Sequence, residues 1–176
     1  AARLDISENM DGISRWPLYI GKEQKNDGVV FTQIDNKARG RPMPMRGIAV
    51  PMRGVQTADF LYIFNPWSDG ERIYANNNEG LTMKAMEKAA KTDPDIAARV
   101  EFFRYRVPEE FYDLKADPDC LVNLIDDPEY TDLITKYRRM LGQWMRKIGD
   151  PLLLSFRNRM DPGKTLPRLY EIYPAL

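Results

Sequence analysis

The strongest pattern in the chain is helical. Tyr130, Leu133, Ile134, Tyr137, Leu141, Trp144, Met145 and Ile148 recur at steps of three and four residues, which places them on one face of a long helix. Asp127 and Pro128 supply a cap and a first-turn proline. Gly149 closes the helix and Pro151 prevents its continuation. Shorter segments follow a strand pattern. Val29-Val30-Phe31-Thr32-Gln33-Ile34 is rich in β-branched and aromatic residues. Met52–Gln56 and Phe60–Phe64 form two more runs, joined by Thr57-Ala58-Asp59 as a hairpin. Glu110-Phe111-Tyr112-Asp113-Leu114 is another strand. Its period of two puts Tyr112 and Leu114 on one face and Phe111 and Asp113 on the other. Arg72-Ile73-Tyr74 is expected to be a short further strand.

Two shorter helices fall between the hairpin and that strand. The first spans residues 82–91, with Thr82 as cap and Met83, Met86, Ala89 and Ala90 as its apolar face. The second starts at Asp93-Pro94 and carries Ile96, Val100 and Phe103. Residues 35–47 are loop. Pro-Met-Arg-Gly occurs at residues 44–47 and again at 51–54, too few copies for a repeat architecture. Trp16-Pro17-Leu18-Tyr19-Ile20 reads as a packed connector. The expected fold class is α+β: a small antiparallel sheet of about four strands, covered by the long C-terminal amphipathic helix, with an extra helical insertion. The expected division is a connector over 1–28, one domain over 29–151 and an extended tail over 152–176. The tail, with Pro162, Pro167 and Pro174, is expected to pack on the surface.

Composition narrows the functional classes. The 176 residues are 43% hydrophobic and 30% charged, a globular balance, and the formal net charge is zero. Zero net charge gives no general attraction to nucleic acid or anionic lipid. No stretch approaches the roughly 20 apolar residues of a membrane helix. The chain opens Ala1-Ala2-Arg3-Leu4-Asp5, with no initiator Met and no signal pattern, so it reads as a cut through something longer. It has no histidine, the commonest general base and metal ligand. Its one cysteine, Cys120, can form no internal disulfide.

Candidate chemistry is sparse. Asp117, Asp119, Asp126 and Asp127 cluster in sequence, but turn and cap roles account for them, and calcium-loop spacing is not met. Cys120 lacks a histidine to activate it. Lys37, Arg39, Arg41, Arg46 and Arg53 form a basic stretch that is either a solvated loop or a binder of sulfate, carboxylate or phosphate. Arg138, Arg139, Arg146 and Lys147 fall on the polar face of the long helix, where charge is expected.

Four segments in order resemble the C-terminal region of sulfatases. Asp11-Gly12-Ile13-Ser14 with Pro17-Leu18 and Gly21 is similar to their D-G-x-S-x-x-P-L-L-x-G. Pro51-Met52-Arg53-Gly54-Val55-Gln56-Thr57 with Tyr62-Ile63-Phe64-Asn65 is similar to R-x-V-R-T-x-x-x-K-Y-I-x-N. Glu110-Phe111-Tyr112-Asp113-Leu114, Asp117-Pro118 and Asn123-Leu124 resemble E-x-Y-D-L-x-x-D-P-x-E-x-x-N-L, with Cys120 at the position of that motif's Glu. The long helix, ending in Trp144-Met145 and Gly149-Asp150-Pro151, is the fourth. Tyr105-Arg106-Val107-Pro108-Glu109-Glu110 and the inserted helices look most like the heparan N-sulfatase (sulfamidase) type.

The resemblance implies a C-terminal subdomain beside an absent N-terminal catalytic domain. The parent would hydrolyse sulfate esters or N-sulfates of glycosaminoglycan-like sugars, using calcium and a formylglycine made within C/S-x-P-x-R. After Cys120 stand Val122 and Leu124, so Cys120 is not that nucleophile. No catalytic or metal residue is carried over, and the chain alone is expected to be inactive. Arg53 and Arg46 are the residues expected to contact an anionic sugar at the pocket rim. The implied parent is secreted, periplasmic or lysosomal. Two alternatives stand beside this reading: a non-catalytic module that binds anionic glycans, and a structural lid or oligomerisation element.

Overall fold

The computed structural model describes residues 14, 16–22, 28–35, 50–74 and 80–173. Its frame is an antiparallel sheet of four strands in chain order: β1 (Val30–Ile34), β2 (Met52–Gln56), β3 (Phe60–Phe64) and β4 (Glu109–Asp113). The expected hairpin forms between β2 and β3. Thr57 closes it: its N–H donates to the Phe60 carbonyl at 2.9 Å, and its Oγ1 accepts from the Asp59 and Phe60 amides, each at 3.2 Å.

Register separates the two faces of the sheet. Phe31, Val55, Tyr62 and Phe111 form one cross-strand row, and Gln33, Arg53, Phe64 and Glu109 a second on the same face. Thr32, Gly54, Ile63 and Glu110 form a row on the opposite face, as do Val30, Gln56, Leu61 and Tyr112. The first face carries the core. The predicted long helix covers it.

Helices α1 (Trp16–Tyr19), α2 (Leu81–Ala89) and α3 (Pro94–Tyr105) precede β4, and α4 (Thr131–Lys147) follows it. α4 buries Ile134, Tyr137, Leu141 and Met145 against the sheet. Phe31 stacks on Trp144 at 5.0 Å between ring centres, and Phe111 meets Tyr137 edge-on at 5.3 Å. Each such side chain contributes about 1.5–3 kcal/mol by leaving water. Asp127 Oδ1 accepts from the Glu129 amide, capping a 3₁₀ turn at Pro128–Tyr130 that leads into α4. At the other end Gly149 adopts φ 67° and the Asp150 amide reaches back to the Met145 carbonyl at 2.9 Å, a Schellman closure.

Four expectations change. The segment after residue 152 is not an extended tail: it forms α5 (Leu153–Arg157) and α6 (Pro162–Ile172). Leu152, Phe156, Leu169 and Tyr173 join the core cluster. Pro162 starts a helix behind Asp161 rather than breaking one. Gly142 permits the close approach of α5, since a Cβ there would sit 3.1 Å from the Phe156 ring. Residues 72–74 form no strand. Tyr74 instead stacks on buried Trp67 at 5.6 Å, and its amide donates to the Arg104 carbonyl. The Trp16–Ile20 run is not packed, for Trp16, Leu18 and Tyr19 are 52%, 59% and 81% exposed. A helix of four residues has no continuous face to bury. Lastly, α2 starts at Leu81 behind Gly80, so Thr82 is not its cap.

The helical insertion between β3 and β4 is α2 and α3, joined by an Arg104–Glu87 pair at 2.7 Å. Asp93 caps α3 through the Asp95 and Ile96 amides, as its place before Pro94 predicts. The loop 35–47, the Asp11-Gly12 segment and Arg46 lie outside the described residues, apart from Asp35.

Candidate functional site

Three ionic assemblies hold the sheet to its surroundings. Arg53, on β2, is 2% exposed. Its Nε donates to Asp150 Oδ2 at 2.6 Å and its Nη2 to Asp150 Oδ1 at 3.3 Å. Nη1 donates to the Met52 and Ile34 carbonyls at 3.0 and 3.2 Å and lies 2.9 Å from Asp35 Oδ1. Asp150, just past Gly149, also accepts from the Leu152 amide at 2.9 Å, so one carboxylate ties β2, the end of α4 and the start of α5 together. Tyr173 donates to Asp35. Burial, and then the Asp35 hydrogen bond, push the Tyr173 phenol up to about 12. Burial alone would lower the Arg53 guanidinium, but Asp150 and Asp35 outweigh it and raise it.

The adjacent residues Glu109 and Glu110 point to opposite faces of β4. Glu109 takes Arg138 Nε at 2.9 Å and Nη2 at 2.6 Å, the Tyr62 hydroxyl, and Arg159 Nε at 2.9 Å as an ion pair. Glu110 is fully buried on the other face. It accepts from Asn65 Nδ2 at 2.6 Å, Arg106 Nε at 3.0 Å, Arg106 Nη2 at 2.7 Å and the Tyr112 hydroxyl at 2.7 Å. Burial, and then the carboxylate beside each, raise the phenols of Tyr62 and Tyr112, so both remain neutral donors. With its lone pairs occupied, neither glutamate is placed to take a proton from a substrate.

The remaining motif residues act on backbone. Asp113 Oδ1 accepts from the Lys115 and Ala116 amides, and Asp117 Oδ2 from Val122. Asn123 Oδ1 accepts from the Phe111 amide at 2.8 Å, and the Leu124 amide donates to the Phe111 carbonyl at 2.8 Å. The E-F-Y-D-L…D-P…N-L run therefore builds strand β4, turns, and brings its own chain back to cover the outer edge of that strand. Cys120 sits at φ 53° in the turn, half-buried, and burial followed by Asp117 pushes its thiol up. A raised thiol is a poor nucleophile.

Among the described residues, no group of three His, Cys, Asp or Glu side chains could hold a metal ion. The described residues thus offer calcium no fit, and the one cysteine offers no formylglycine position. Sequence reasoning placed Arg53 and Arg46 together as sugar contacts. Arg46 lies outside the described residues, and Arg53 has its donors committed to Asp150, Asp35 and two carbonyls. A sugar could engage Arg53 only by displacing one of them. Arg138 is likewise not a solvated residue of the helix's polar face but half-buried on Glu109, which also raises its guanidinium against the lowering effect of burial. The partners of Arg53 were not readable in sequence, because Asp150 is 97 positions away.

No family model matches the chain. The fold is that of a segment of solved sulfatase structures. It superposes on a candidate sulfatase from Bacteroides thetaiotaomicron with a TM-score of 0.51 and 19% identity, covering 84% of this chain and 22% of that one. It superposes equally, at TM-score 0.51 and 19% identity, on a 2-O GAG sulfatase, again over 84% of this chain and 22% of the other. In sequence the chain is 40% identical over 109 residues to the ulvan-active sulfatase of Formosa agariphila. That match covers 56% of this chain and 17% of the relative, so the chain corresponds to a small part of the relative's length.

Proposed function

We propose that this chain is the C-terminal subdomain of a sulfatase that removes sulfate from polysaccharides. The 40% identity to the ulvan-active sulfatase carries this reading. The open face of the sheet adds a physical argument. Val30 and Ile34 are 53% and 45% exposed there, beside Met52, Leu61 and Ile63, which are only partly covered. An apolar sheet face that the described residues leave partly uncovered is what a subdomain presents to a neighbouring domain. In this reading the neighbour is the catalytic domain, and it supplies formylglycine, calcium and the groups that neutralise sulfate.

A glycosaminoglycan-like substrate is favoured by one structural relative, described as a 2-O GAG sulfatase. The finer reading, a heparan N-sulfatase-like parent, rests on the Tyr105–Glu110 segment and the inserted helices. Export from the cytoplasm accompanies such a substrate. No helix among the described residues is long and apolar enough to cross a membrane.

The test is sulfate release from heparan-type and ulvan-type polysaccharides, by the longer protein encoded around this chain and by the chain alone. Release by the longer protein only is expected. Turnover by the chain alone, or an upstream sequence lacking C/S-x-P-x-R, would overturn the proposal. Comparing N-sulfated with 2-O-sulfated disaccharides decides the finer assignment.

A further inference from the structure

The surface of α4 turned away from the core is predominantly basic. The helix holds one acid, Asp132, against Lys136, Arg138, Arg139, Arg146 and Lys147. Arg138 is spent on Glu109. Lys136, Arg139, Arg146 and Lys147 are exposed, and none has an ion-pair partner among the described residues. In a chain of zero net charge, four unpaired cations on one helix are a segregated patch.

The patch borders a groove of about 320 Å³ between α4 and the edge strand β1, lined by Val29, Phe31, Met140, Gln143, Trp144 and Lys147. Lys136, Met140, Gln143, Trp144 and Lys147 follow the three- and four-residue steps of one helical stripe. The cations at its ends are about 16 Å apart at 1.5 Å per residue. Trp144 and Phe31 are each partly exposed and form an aromatic wall.

We propose that this stripe is a binding surface for a sulfated or otherwise anionic polysaccharide. The apolar and aromatic groove suits the C–H face of a sugar ring, and Gln143 suits its hydroxyls. The flanking ammonium and guanidinium groups match sulfate or carboxylate substituents on neighbouring sugars. Charge complementarity selects an anionic ligand. The apolar groove at the centre selects one with apolar ring faces over a bare polyanion. Nucleic acid is disfavoured because the chain carries no net positive charge. The surface needs no hydrolytic activity and stands apart from the sulfatase reading.

The experiment titrates the chain, carrying Trp16→Phe to remove the exposed Trp16 signal, with dextran sulfate, neutral dextran and single-stranded DNA at physiological salt. Dextran sulfate is expected to bind saturably and shift Trp144 emission, while dextran and DNA bind much more weakly. Lys136→Gln with Lys147→Gln alters exposed, unpaired side chains, so the fold is retained. This pair should weaken dextran sulfate binding roughly three- to tenfold, as expected for two surface ion pairs. Gln143→Ala should weaken it without changing its salt dependence. Equal binding of DNA, no binding at physiological salt, or unchanged affinity in the lysine double variant would each overturn the proposal. Sulfate release plays no part in this readout, so failure here leaves the sulfatase reading to its own test.

Discussion

The two faces of the sheet differ in how completely this chain satisfies them. The face under α4 is closed by its own sequence. Phe31, Val55, Tyr62, Phe64 and Phe111 meet α4 and α5, and the charges on that face, Arg53 and Glu109, are neutralised within the chain. The opposite face is finished only beside β4, where Glu110 is neutralised by Arg106. Toward β1 it presents Val30, Thr32 and Ile34 to solvent. A face with buried, paired charges has its partners in hand. The other face has half-covered aliphatic residues and, among the described residues, no helix above it toward β1. One sheet thus carries a closed core on one side and a partly exposed apolar face on the other.

The covered face should break most severely. Phe156→Ala should cost about 3–5 kcal/mol, because the ring packs on Tyr62 and Phe64 and fills the contact with α4. Denaturant unfolding would measure it, and a loss below about 1 kcal/mol would return the segment after residue 152 to a peripheral role. Arg53→Ala should cost a similar amount, about 3–5 kcal/mol, since it leaves the Asp150 carboxylate buried without its partner. Asp150→Asn in the same background should recover part of the loss, and a double-mutant cycle gives the coupling.

A smaller effect lies in alkaline pH. The Tyr173 phenol is raised from 10.0 to about 12, so the folded state holds a proton that the unfolded chain releases earlier. Its contribution is complete below pH 10 and is lost as pH rises through about 12. Tyr173→Phe should cost about 1 kcal/mol at neutral pH, the worth of one hydrogen bond, and flatten that alkaline decline. Urea midpoints followed across this range would show it. The open face should respond least in stability: Ile34→Thr is expected within about 0.5 kcal/mol of the parent chain. It should nonetheless reduce apolar-dye binding and self-association. A large stability loss there would mean that this face is already part of the core.

Much of the fold was legible because its signals are local. The α4 stripe, the β2–β3 hairpin with Thr57 in its turn, Asp93 and Asp127 as caps, and Gly149 as a stop each depend on residues a few positions apart. The misread tail had a local signal too. Asp161-Pro162 is a helix start, and Leu166, Leu169 and Ile172 keep helical spacing, although Pro162, Pro167 and Pro174 together suggest an extended tail. The motif around Glu110 was legible as strand, turn and cap. Its deeper role, placing glutamates on both faces of β4 and folding Asn123 back over the edge, was not.

The sequence by itself determined the four sheet strands, the long helix, the α+β class and the resemblance to sulfatases, since caps, periodicity and motifs are encoded over short stretches. Only the tertiary structure decided which charges are free. Arg53 reads in sequence as a rim cation and Arg138 as a solvated one, yet folding brings them to Asp150 and Glu109 across 97 and 29 positions, burying Arg53 and half-burying Arg138. Lys136, Arg139, Arg146 and Lys147 look the same in sequence and remain in solvent. The difference is burial beside a carboxylate from a distant element, which no local pattern records.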